Sequence, residues 1–81
     1  SAKFNNCVFH DNSSAGIGVS NKATIHFHGE ATAIHSNKFG IFAYSSGKVI
    51  IHLPSQHNTS YNNGQGDRYT DRGGTITNVE D

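Results

Sequence analysis

Apolar residues recur along the chain in short alternating runs rather than in helical stripes. Ile17 and Val19, Ile25 and Phe27, Ile41 and Ala43, and then Val49, Ile51 and Leu53 each stand two apart. That spacing lines one face of a strand. Clusters of Asn, Ser and Gly separate the runs, and these are the residues of tight turns. The pattern predicts an all-β chain of many short strands and no helix.

The runs also repeat. Lys22-Ala-Thr-Ile-His-Phe27, Lys48-Val-Ile-Ile-His-Leu53 and Gly74-Thr-Ile-Thr-Asn-Val79 are spaced by 26 residues, twice. At the same offset Ser36-Asn37 falls on Asn62-Asn63, and Gly40 on Gly66. Phe9-His10-Asp11-Asn12 matches Ile34-His35-Ser36-Asn37 at 25, and Gly16-Ile17 matches Gly40-Ile41 at 24. A period of 24–26 with recurring turn residues predicts a parallel β-solenoid of three coils, near 1–27, 28–53 and 54–79. These would form a single domain over 1–81.

Alternation then assigns side chains to faces. Phe9, Ile17, Val19, Ile25, Phe27 and Ile34 are expected inside, followed by Ile41, Ala43, Val49, Ile51, Leu53 and Val79. Cys7 also points in, while His10, His26, His28, His35 and His52 point out. Asn12, Asn37 and Asn63 form a corner column, where Asn tolerates a left-handed backbone and stacked amides can bond along the axis. Gly16, Gly40 and Gly66 are expected to mark a second corner with φ > 0. The third coil departs from the pattern. Ser60 falls where Ile34 packs and Asp67 where Ile41 packs, which predicts either a looser third coil or a segment locally looped out between Asn63 and Gly73.

These coils resemble the repeats of right-handed parallel β-helix proteins, the pectin-lyase-like group. They are most similar to algal surface proteins related to bacterial polymorphic outer-membrane proteins. The resemblance rests on Phe4-Asn-Asn-Cys-Val-Phe9, on Asn12 through Gly16-Ile17 and on Asn37 through Gly40-Ile41. It continues through Lys48-Val-Ile-Ile-His-Leu-Pro-Ser-Gln-His-Asn58 and residues 67–80. It implies a right-handed solenoid, and it raises polysaccharide chemistry as an expectation.

Composition sharpens this picture. Seven Ile and four Val stand against one Leu and no Met, which favours strands. Six Lys+Arg balance six Asp+Glu, so no basic excess points to nucleic acid or anionic membrane. No apolar run approaches the ~20 residues of a membrane span. A single cysteine, Cys7, excludes an internal disulfide framework. With no initiator Met and no charged-then-apolar leader, the sequence reads as a mature product or a piece of one.

Candidate chemistry is sparse. Asp67 and Asp71, interleaved with Arg68 and Arg72, are the one local cluster of charge, expected as a solvated loop. No catalytic residue and no cofactor is assigned. His26, His28 and His52 are weak candidate ligands for Zn²⁺ or Cu²⁺, with His52 expected one coil from His26. His10, His35 and Tyr61 form a second outward column. Asn12-Ser-Ser14 and Asn58-Thr-Ser60 are possible glycosylation sites, with Asn58 the favoured acceptor. Phe42, Tyr44 and Tyr61 would line the groove of a carbohydrate-binding or carbohydrate-modifying module.

The ends suggest a use. No amphipathic helix, Pro-rich cover or charged strand is expected at either end. Edges around Ala2, Phe4, Cys7 and Phe9, and around Thr75, Thr77 and Val79, would then be open for assembly. A structural, non-enzymatic subunit is expected, extracellular or on a cell surface. Its partner would be another copy stacked head-to-tail or neighbouring coils of a longer chain. The rise would be three strand spacings, on the order of 14–15 Å.

Overall fold

The structure is a computed structural model, and it describes residues 1–80. Ten strands and no helix make up the described residues. In chain order they are β1 (Ala2–Asn5), β2 (Val8–His10), β3 (Ala15–Val19), β4 (Thr24–His28) and β5 (Ala33–His35). There follow β6 (Phe39–Tyr44), β7 (Lys48–Ile51), β8 (Ser60–Tyr61), β9 (Gly66–Asp71) and β10 (Thr75–Asn78).

Every third strand joins the same sheet. The first sheet runs β1-β4-β7-β10, the second β2-β5-β8 and the third β3-β6-β9. All pairings are parallel. The chain is therefore a β-solenoid of about three turns, as its repeat predicts, with β10 opening a further pass along the first sheet.

The corners turn on left-handed residues. Asp11, Ser36 and Asn62 have φ near +54 to +59°. Each immediately precedes an Asn of the corner column, so the turn belongs to the residue before and leaves the Asn amide for stacking. A second corner uses Asn21 and Lys22, Ser45 and Ser46, and Arg72 with Gly73. The expectation for Gly16 and Gly40 is corrected: they lie within β3 and β6 and have no positive φ. Their role is clearance. A Cβ on Gly16 would fall 2.6 Å from both Asn37 Nδ2 and Ile34 Cγ2, and one on Gly40 would meet Ser60 Oγ, the Asp67 carbonyl at 2.5 Å and Asn63 Nδ2 at 2.6 Å.

Val19, Phe27, Ile34, Ile41, Ala43, Val49, Ile51 and Leu53 form the buried core. Phe9, Ile17 and Ile25 pack against it half-buried, as do Phe4 and Ile76. Full burial of each such side chain is worth roughly 1.5–3 kcal/mol.

Register explains where the sequence reading slips. Ile25 pairs with Val49 and Phe27 with Ile51, an offset of 24 rather than 26. The two offsets differ by an even number of residues, so the residues predicted to point inward still do. The next step is Val49 to Ile76, 27 residues where the repeat predicts 26, and a slip of one residue exchanges the predicted faces. Ile76 therefore packs on the core in place of Val79, and Asn78 joins the inward column of Phe4, Phe27 and Ile51.

The third sheet is corrected in the same way. Residues 64–73 are not looped out as a whole: β9 pairs with β6 along its length. Gly66 lies opposite Phe39, so it leaves the glycine column. Asp67 takes the place above Gly40, and Arg68, not Asp67, sits where Ile41 packs. Ser60 does pair with Ile34 as expected.

Candidate functional site

The two ends of the solenoid carry different chemistry. At the first coil Phe4, Phe9 and Phe27 cluster, with Phe4 edge-on to Phe9 at 5.4 Å and stacked on Phe27 at 5.8 Å between ring centres. Phe27 is buried, whereas Phe4 and Phe9 keep half-exposed faces because no coil lies beyond them among the described residues. Val8 is 51% exposed beside them. Cys7 is half-buried, and its thiol leans toward the Asn5 carbonyl.

At the last coil the inward positions turn polar. Ser60, Arg68 and Asn78 stand where Ile34, Ile41 and Ile51 pack one coil earlier. Arg68 Nη2 donates to Asn78 Oδ1 at 2.7 Å, an exposed bond that joins the third sheet to the first over the end of the last coil. Partial burial lowers the Arg68 pKa from its ordinary value, but a guanidinium so placed stays charged. Asn78 Nδ2 in turn donates to the Leu53 carbonyl at 3.0 Å. Ser60 Oγ donates to the Asp67 carbonyl at 2.7 Å. Contrary to the expectation of no charged strand at either end, β9 carries Asp67, Arg68 and Asp71 along the edge of the last coil.

Between the ends runs the Asn column. Asn12 N and Nδ2 donate to Asn37 Oδ1 at 3.0 and 2.8 Å. Asn37 N and Nδ2 donate to Asn63 Oδ1 at 3.0 and 3.1 Å. Asn63 N and Nδ2 donate to Asp67 Oδ1 at 3.1 and 3.0 Å. Each rung is the same pair of bonds, and the last one closes on a carboxylate.

The four charges of residues 67–72 do not converge. Asp67 serves the Asn column, Arg68 serves Asn78, and Asp71 accepts from the Arg72 backbone N–H at 2.8 Å. Asp71 and Arg72 instead border a cleft of about 330 Å³ on the outside of the third sheet, beside Gly18, Phe42 and Tyr44. Phe42 also meets Tyr69 at 4.6 Å and Phe39 at 5.5 Å. Tyr44 and Tyr69 are 40% and 44% exposed, so an aromatic platform faces solvent there. Tyr61 is elsewhere, in a stack with His35 and His10 at 5.3 Å per step on the second sheet.

His26, His28 and His52 do come together, beside Lys3, around a shallow depression. Their pairing differs from expectation. His52 stacks on His28 at 4.0 Å, and His26 reaches it diagonally, with Nδ1 2.9 Å from His52 Nε2. The facing nitrogens bond to each other, and no three ligating groups among the described residues form a metal centre. Asn58 is exposed in the turn after β7, while Asn12 is tied into the column.

No helix among the described residues is long and apolar enough to cross a membrane. Comparison with family models, with curated proteins and with solved structures finds no match.

Proposed function

We propose that this protein is a structural β-solenoid unit that stacks head-to-tail through its terminal coils into a fibre or surface array. The half-exposed apolar face of the first coil carries the reading. Phe4, Phe9 and Ile17 are inward-facing residues left incompletely covered, and among the described residues no strand pairs with the outer edges of β1, β2 and β3. Open strand edges template pairing with another chain, and a heterologous contact that does not close yields a filament. The setting we propose is extracellular or cell-surface, in keeping with an exposed Asn58 at the head of an Asn-Thr-Ser triplet whose Thr59 and Ser60 are buried. Electron microscopy across a concentration series tests the reading. Filaments with a subunit rise on the order of 14–15 Å are expected from three strand spacings, and discrete monomers at the highest concentration overturn it.

A second reading has its own observation. The cleft beside Phe42 and Tyr44, with Tyr69 adjacent and Asp71 and Arg72 at its rim, suits a saccharide. Aromatic faces stack on the apolar face of a sugar ring, and rim charges bond to its hydroxyls. Binding on a glycan array that is lost in Tyr69→Ala and Phe42→Ala supports this reading, and no binding to any glycan counts against it.

A further inference from the structure

The Asn column needs two things at every step. One is an acceptor, the Oδ1 of the next Asn, which receives a backbone N–H and an amide Nδ2 from the coil before. The other is space, supplied by a glycine: Gly16 clears Asn37 and Gly40 clears Asn63. The third coil has neither provision for a successor. Asp67 stands above Gly40 in the glycine column, so its Cβ fills the place that the next Asn amide would need. Its Oδ1 already holds both donors of Asn63.

The first sheet repeats the point. It holds four strands where the others hold three. In a stack that placed Asn12 of a second copy above Asn63, the second copy's β1 would fall on the free edge of β7. That edge is occupied by β10. Asn78 pins β10 there through the Leu53 carbonyl and Arg68. The first coil, by contrast, is complementary to what the cap hides: among the described residues no donor reaches Asn12 Oδ1.

We infer that residues 67–78 are a cap over the stacking surface, and that the occupant they exclude is the first coil of a second copy. Stacking exchanges like for like. Both Asn63 donors pass from Asp67 Oδ1 to the incoming Asn12 Oδ1, and β10 yields the edge of β7 to the incoming β1. This inference rests on the head-to-tail reading and adds that stacking is held back by the chain itself.

The test compares wild type with Asp67→Gly, Asn78→Ala and their combination, by sedimentation velocity and electron microscopy over a concentration series. Circular dichroism checks that strand structure is retained. The combined variant should assemble at a concentration at least tenfold lower than wild type, and adding Phe4→Ser should reverse the gain. Equal assembly by wild type and variants overturns the cap and leaves head-to-tail stacking standing. Assembly by the variants alone supports the cap and removes the wild-type filament. Absence of assembly by every protein overturns both. Variants that lose strand structure overturn the cap as well, since the segment is then core rather than cover. Hydrogen exchange on wild-type assemblies gives a second measurement. Amides of residues 75–78 should lose protection while those of 48–51 keep it, and protected β10 amides in the assembly overturn the exchange.

Discussion

Asn37 is 4% exposed and holds the middle of the column, accepting from Asn12 and donating to Asn63 and to the Phe9 carbonyl at 3.2 Å. Asn37→Ala strips part-buried groups on both neighbouring coils of their partners. Leaving such groups unsatisfied costs about 1–3 kcal/mol, so urea unfolding should show a loss of about that size. Gly40→Ala should cost at least as much, although alanine normally stabilises a strand position over glycine. A Gly40→Ala protein of unchanged stability would show that clearance for the Asn63 amide is unnecessary. The Asn column was legible in the sequence because one residue type recurs at one place. The reason for the glycine column was not, because it lies in a neighbour one coil away.

β10 shows what a repeat can hide. Its sequence, Thr75-Ile-Thr-Asn78, alternates cleanly, so its strand character is plain. Which face it buries depends on the length of the third coil, and one additional residue in the step from β7 reverses the answer. Ile76→Ala should therefore lower stability by about 1–2 kcal/mol, less than the roughly 2–5 kcal/mol of a fully buried Ile because Ile76 is only half-buried. Val79→Ala should change it by less than about 0.5 kcal/mol. Reversed magnitudes in thermal or urea melts would restore the 26-residue register. β9 misled for a related reason. The segment is solvent-exposed, as its charges suggest, but it is a paired strand rather than a loop, with Arg68 at the register position of Ile41 and bonded to Asn78. The inward residues of the first two coils, from Phe9 to Leu53, were read correctly because their offsets of 24 and 25 keep each column intact.

Across the whole molecule each coil touches only its neighbours, so stability should grade along the axis. Hydrogen exchange should be slowest in β4, β5, β6 and β7, which have a strand on both sides, and faster in β1, β2 and β3. Uniform exchange over all ten strands would instead mark one all-or-none unit. The Asn column adds an electrical consequence. In every rung the amide N–H end points toward the third coil and the carbonyl end toward the first. Sheets have little net dipole of their own, but these side-chain dipoles align and add along the axis. The positive pole meets the Asp67 carboxylate, the favourable arrangement known from acidic groups at helix N-termini. The negative pole emerges as the bare carbonyl of Asn12, where a cation or a neighbour's ammonium group would be drawn.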